Sequence, residues 1–201
     1  GLLNAPIRSL HEDASGTLVL RTGKGLNIVR RESTLTVTAT NGLPGNNVSA
    51  ILEDRSRVIW IGTDRGLARW DGKGFKSFTL ADGLAENSVT CLHEDADGAL
   101  WIGTRSRGLS RLRDGIFTTY STVHGLFSDE ITEVFEDDAG YFWITCRRGL
   151  FRVHKSDFAA LDQNQQRELR CTAFGREDGL PSVQFNGDAK PAGLKASDGR
   201  L

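Results

Sequence analysis

An all-β fold built from repeated four-stranded sheets is predicted by three observations. First, landmarks recur at a fixed interval: Asp54, Asp95 and Asp137 stand 41 and 42 residues apart, and Trp60, Trp101 and Trp143 keep the same spacing. Second, each unit breaks into four short β-rich runs separated by turn formers. Third, no unit contains the long amphipathic run that a helical solenoid needs.

A period near 41 residues with four strands per unit is the arithmetic of a β-propeller blade. The chain, 1–201, is therefore expected to be a single partial β-propeller: four complete blades plus the start of a fifth, with one short helix inserted in the fourth. The repeats fall at 1–41, 42–82, 83–124 and 125–178, with the helix insertion near 156–167 and an incomplete 179–201.

The second repeat displays the elements most clearly. Val48 to Glu53 and Val58 to Gly62 read as strands of a hairpin, joined by Asp54-Arg55-Ser56-Arg57. The counterparts of that turn, Asp95-Ala96-Asp97-Gly98 and Asp137-Asp138-Ala139-Gly140, are strong turn sequences. Gly66 to Trp70 supplies a third strand, and Phe75 to Thr79 a fourth, across Asp71-Gly72-Lys73-Gly74. Subtracting one period places Ile7 to Val29 in phase, with Asp13 at the aspartate position and Val19 in place of the tryptophan.

Packing between radial sheets explains the aromatic residues. Trp60, Trp101 and Trp143 are expected to form the structural core of the repeat, each indole N–H finding a backbone acceptor. Phe75, Phe78, Phe117 and Tyr120 should pack between the outer strands. In the fourth repeat, Ser156 can cap a helix from Asp157 to about Gln166, with Phe158 and Leu161 on one face, before the outer strand resumes at Arg170 to Phe174. That helix is expected to be a surface insertion, with docking of another domain as the alternative.

Phase also bears on the termini. Gly1-Leu2 falls at an inter-blade turn, and Ser197 to Leu201 resembles Ala96 to Leu100, where the blade tryptophan comes next. An open arc leaves apolar blade faces to be covered. A fragment of a larger ring, an assembly completed by a second chain, or a small closed ring each meet that need.

Bulk composition narrows the function classes. Hydrophobic residues make up 38% and charged residues 25%, the profile of an ordered globular domain. A formal charge of -1 gives no electrostatic footprint for nucleic acid. No run approaches the ~18 apolar residues of a membrane span, and the first residues lack the pattern of a signal peptide. The absence of Met suggests a processed or excised piece. Cys91, Cys146 and Cys171 have no metal-ligand spacing and are expected to be buried thiols. No metal or cofactor is implied.

Catalysis needs a nucleophile with a base, a carboxylate pair or a metal cluster within reach. His11, His93, His124 and His154 form no short ligand motif, and the His11/His93 position is Leu52 and Phe135 in the other repeats. The pairs Glu12-Asp13, Glu53-Asp54, Glu94-Asp95 and Glu136-Asp137 each precede a turn, which points to hairpin capping. No glycine-rich phosphate loop joins a strand to a helix. The chain is therefore expected to be non-catalytic.

A ligand site is expected on the loop face. A basic residue precedes the Gly-Leu pair of every third strand, at Lys24, Arg65, Arg107 and Arg148, and Arg105 and Arg147 lie beside them. Converging on a central opening, they would make a positive rim for carboxylates or sulfates. The competing reading is that these long basic side chains merely solvate exposed turns. On the same face Asn46, Asn47, Asn87 and Ser88 offer neutral groups to hydroxyls, with termination of the turns as the competing and favoured role.

The pattern Asn41-Gly42-Leu43-Pro44 with Asn47 and Val48, then Trp60-Ile61-Gly62-Thr63 and Gly66-Leu67, resembles the two-component regulator propeller repeat. Copies from Asp82 and His124 agree with it, as does the stretch 177–187. Departures are Leu20-Arg21-Thr22, in place of Ile-Gly-Thr, and Thr145-Cys146, in place of Gly-Thr. The resemblance implies a sensor region of a hybrid histidine kinase-like receptor, periplasmic or extracellular, with the remaining blades and signalling domains of the parent protein as partners. It implies oligosaccharide, or another polar or anionic small ligand, as the bound class. Homo-oligomers through exposed blade faces are a further expectation, with no nucleic-acid partner and no direct membrane insertion. A protein-binding scaffold, or a propeller resembling polysaccharide lyases and hydrolases, is the alternative reading.

Overall fold

Each repeat folds into one antiparallel sheet whose strands follow chain order, as the computed structural model describes for residues 6–13, 15–180, 182 and 185. The first sheet comprises β1 (Ile7–Glu12), β2 (Leu18–Thr22), β3 (Gly25–Val29) and β4 (Thr34–Val37). The second comprises β5 (Val48–Glu53), β6 (Ile59–Thr63), β7 (Gly66–Trp70) and β8 (Phe75–Phe78). The third comprises β9 (Val89–Glu94), β10 (Leu100–Thr104), β11 (Leu109–Arg113) and β12 (Ile116–Tyr120). The fourth comprises β13 (Glu133–Glu136), β14 (Tyr141–Cys146), β15 (Gly149–His154) and β16 (Thr172–Phe174). Most of the expected incomplete repeat 179–201, together with the phased ends Gly1-Leu2 and Ser197 to Leu201, lies outside the described residues.

The apolar cores lie between sheets. Successive strand residues point to opposite faces, so β6 sends Ile59 and Ile61 toward the first sheet and Trp60 toward the third. Val19, Leu26, Ile28, Val37, Val48, Ile61 and Trp70 fill the first seam. Trp60, Leu67, Leu84, Val89, Leu100, Ile102 and Leu112 fill the second. The third seam holds Trp101, Leu109, Tyr120, Ile131, Phe142, Ile144, Phe151 and Phe158. Cys91 and Cys146 are buried, and Cys171 is partly buried.

The recurring aspartate and tryptophan form one clasp. In the third sheet, Asp95 Oδ1 accepts from the backbone N–H groups of Asp97 and Ala99, while Oδ2 accepts from Trp101 Nε1 at 2.8 Å. The same arrangement joins Asp54 to Trp60 and Asp137 to Trp143, at 2.8 and 2.7 Å. The indole acceptor is thus a carboxylate and not the backbone expected from sequence. A carboxylate suits the position because one oxygen closes the turn and leaves the other free for the ring.

The adjacent glutamates act across seams. Glu94 accepts from Arg55 N and Glu136 from Ala96 N, so the carboxylate of one sheet caps the turn of the sheet before it. Trp60 is 8% and Trp101 1% exposed. Trp143 is only partly buried; it stacks on Phe174 at 5.1 Å and lies under the Arg152 guanidinium.

The insertion in the fourth repeat begins earlier than the sequence suggested. Helix α1 spans Lys155–Asp162, and His154, not Ser156, is its cap, with Nδ1 accepting from Ser156 N. Nor is it a bland surface element. Phe158 packs on Trp101 (4.7 Å between ring centroids), Tyr120 (4.8 Å) and Phe142 (5.8 Å). At the helix end, Asp162 binds Arg111 at 2.8 Å and accepts from the Tyr120 hydroxyl. The helix straps the fourth sheet to the outer strands of the third, and Leu169 N donates to His124 O to continue the strap.

Candidate ligand site at the mouth of the inner-strand cavity

The innermost strands β1, β5, β9 and β13 line one cavity of about 590 Å³, bounded by Ser9, His11, Ala50, Leu92, His93 and Phe135 among others. On the side of the β2–β3 turns it meets a smaller chamber of about 200 Å³. Arg21 and Ser49 border both spaces. The smaller chamber is the mouth of this cavity.

Strand irregularities shape this mouth. The pairing registers of β1/β2, β5/β6 and β9/β10 each skip one residue near the mouth, at Arg8, Ser49 and Thr90. A bulge turns its extra side chain away from the regular alternation, and all three residues line the chamber.

The rim predicted from sequence divides here. Arg105, Arg147 and Asn47 line the chamber, whereas Lys24, Arg65, Arg107 and Arg148 are exposed residues outside its lining. The reason is local: the backbone N–H of Lys24, Arg65 and Arg107 is held by a threonine hydroxyl at the end of the preceding strand. The residue directly after the strand end, Asp64, Arg105 or Arg147, instead borders the chamber. Arg148 lies over the Phe127 ring and donates to Phe127 O. Asn46 and Asn87 accept from the backbone N–H of Ala39 and Leu80, which ties them to the inter-sheet turns.

Two arginines that the sequence pattern did not single out join the mouth, Arg8 and Arg21. The only signal for Arg21 was its departure from the glycine of the repeat. A Cβ on Gly62 would stand 2.5 Å from Val89 Cγ1, and one on Gly103 would run into Cys91 Sγ. In the first sheet, the larger side chain instead reaches across the seam, where Arg21 Nη1 donates to Ser49 O at 2.6 Å and Val48 O at 3.4 Å.

The charge balance at the mouth is positive, with Arg8, Arg21, Arg105 and Arg147 against Asp64 and Glu130. Glu130 is bound to Arg147 at 2.8 Å. Arg8, Arg21 and Arg105 contact no carboxylate among the described residues. Burial, and then the neighbouring Arg8 charge, hold the Arg21 guanidinium below its ordinary pKa. The arrangement suits recognition of anionic and hydroxyl groups; Asn47, Ser88 and Thr132 add neutral donors and acceptors.

Elsewhere the titratable groups serve packing. His11 and His93 approach Glu53 and Glu136 at 3.6 and 3.7 Å across adjacent sheets. No group of three or more metal-binding side chains occurs among the described residues, and no helix there is long and apolar enough to cross a membrane.

Similarity to known proteins follows the same repeat. The family model described as two component regulator propeller matches residues 42–65 and 83–106. The fold is similar to the extracellular domain of BT3049, assigned to a hybrid two-component system of B. thetaiotaomicron (22% identity, TM-score 0.71, covering 92% of this chain and 25% of that one). It is also similar to the extracellular domain of BT4673 from B. thetaiotaomicron, assigned to a one-component system (21% identity, TM-score 0.72, 97% and 28%). A catalytically inactive virginiamycin B lyase from Staphylococcus aureus, solved with quinupristin, shares the fold at 12% identity (TM-score 0.65, 88% and 59%). The chain thus spans roughly a quarter of the length of the two extracellular domains. No curated protein matches the sequence. The two matched segments fall at the same place in the second and third sheets, so the likeness to the two-component regulator propeller repeat follows the repeat of the fold.

Proposed function

We propose that this array is a non-catalytic, extracytoplasmic sensor module of a two-component-type receptor, and that it binds a polar or anionic ligand, an oligosaccharide first among them, at the mouth of its central opening. The observation that carries the reading is the mouth itself: four arginines converge there with two carboxylates and five neutral polar side chains, in a chain whose second and third repeats match the family. Such a constellation recognises charge and hydroxyls but offers no paired nucleophile and base. The output domain, the remaining blades and the location outside the cytoplasmic membrane belong to the same proposal. So does oligomerisation through blade faces.

Calorimetric titration of the full chain with acidic and neutral oligosaccharides tests it. Arg105 is exposed and has no ion-pair partner among the described residues, so Arg105→Glu should leave folding intact. It should weaken an acidic oligosaccharide at least tenfold, about 1.4 kcal/mol. Failure of every saccharide to bind the wild-type chain, or identical affinity in the variant, would remove the mouth as the sensing site.

A further inference from the structure

We propose that Arg21 and Arg8 form an oxyanion receptor at the axial mouth, taking a carboxylate or sulfate group of the ligand. This deepens the sensor reading and rests on it.

The first observation is positional. At the equivalent places in the next two sheets, Gly62 and Gly103 have no room for a side chain because Val89 and Cys91 press against them. The repeat therefore folds without an arginine there. Arg21 is an addition to the pattern, and it is 5% exposed.

The second is electrostatic. A buried guanidinium is costly unless it is paired and its donors are satisfied. Arg21 spends Nη1 on two backbone carbonyls, but its Nε has no hydrogen-bond partner. No carboxylate of the described residues contacts it. A charge of the same sign stands beside it: Arg8 is close enough to disfavour the charged form of Arg21.

The third concerns Arg8. It is the residue skipped at the β1 bulge, which re-aims it, and Nη1 donates to Asn47 Oδ1 at 3.3 Å across the seam. Its guanidinium lies over Gly23, with Nη2 3.3 Å from the place a Cβ would take. Two unneutralised guanidinium groups of unlike exposure thus face one chamber of about 200 Å³, which suits a single oxyanion group on a larger molecule. An anion between them offsets their repulsion and supplies a counter-charge in contact, which no carboxylate of the described residues provides. Guanidinium forks match the planar carboxylate and the tetrahedral sulfate alike.

The test is calorimetric titration of the full chain with glucuronate, inorganic sulfate and glucose at constant ionic strength. Wild-type protein should prefer glucuronate to glucose by at least tenfold, and sulfate should compete with glucuronate. Arg21→Gly, which installs the residue of the second and third sheets, and Arg8→Gln should each weaken glucuronate and sulfate at least tenfold and leave glucose unchanged. Arg8 is exposed, so its variant keeps the test open if Arg21→Gly fails to fold. Sulfate bound and glucuronate not would assign the receptor to sulfate esters; the reverse would assign it to uronates. Unchanged anion affinity in both variants would overturn the receptor. If Arg105→Glu still abolished acidic oligosaccharide binding, the sensing mouth would stand without it. Absence of any binding to wild-type protein would overturn both.

Discussion

The seam between the first and second sheets and the seam between the third and fourth are built from the same repeat and are packed differently. In the third seam, Trp101 is clasped by Asp95, covered by Phe142 and Tyr120, and closed by Phe158 from α1. In the first seam, Val19 takes the tryptophan position and no inserted helix covers the outer edge. That edge opens into a cavity of about 870 Å³ bounded by Asp13, Arg30, Arg57, Trp70 and Asp71. Trp70, stacked with Phe75 at 5.9 Å, supplies the aromatic surface there from the opposite sheet. The repeat therefore guarantees a seam without guaranteeing how strongly it is held.

The largest expected contrast lies in the aromatic plugs. Phe158→Ala removes a ring that is 1% exposed and touches three others, and should cost about 3–5 kcal/mol. Phe75→Ala, at a partly buried ring with one aromatic neighbour, should cost about half as much. Denaturant unfolding of the two variants measures the difference. Equal losses would mean that α1 adds nothing to its seam.

The clasp gives the next effect. Asp95→Asn presents an amide to the Trp101 indole where a carboxylate had accepted, while the turn N–H groups keep an oxygen; a loss of about 2 kcal/mol is expected. Asp13→Asn in the first sheet should cost about 1 kcal/mol or less, because the Val19 side chain has no N–H to lose an acceptor. Thermal unfolding distinguishes the pair. Similar shifts would show that the indole bond contributes little.

A pH effect should separate the seams further. Desolvation, partly opposed by Glu136, lowers the pKa of His93 below 6.5. The fold thus holds this ring neutral while the unfolded chain binds a proton, so its contribution is complete above about pH 6.5 and declines as pH falls toward the folded value. His93→Phe, the residue type found at Phe135, should flatten that part of the stability–pH curve. An unchanged slope between pH 7 and 5, ~2 units, would assign the acid sensitivity to other groups.

The smallest expected effect is in the turn of the second sheet. Arg57 has φ 65° where the other three turns place Gly16, Gly98 and Gly140 at 80–82°. Arg57→Gly should stabilise by about 0.5–1 kcal/mol, less whatever the exposed Arg57–Glu53 pair contributes. A lower melting temperature would show that the ion pair outweighs the backbone strain.

Sequence by itself determined the unit: its period, its four strands, the turn aspartates and the place of the inserted segment. Those features are local, since alternation and turn chemistry act over a few residues, and β5 and β7 run from Val48 to Glu53 and Gly66 to Trp70 as read from the sequence. The likeness of the repeats also made the Asp–Trp spacing visible, though not the bond that explains it. Only the tertiary structure decided which basic residues meet. One residue of offset in the β2–β3 turns turns Arg65 away from the mouth, while a bulge and a missing glycine bring Arg8 and Arg21 into it. The same holds for Glu94 capping a turn 39 residues before it and for Asp162 reaching Tyr120 across 42. Contacts of that range depend on how each sheet is rotated against the next, and that rotation is set by the packing of whole seams, which no stretch of sequence within a single repeat encodes.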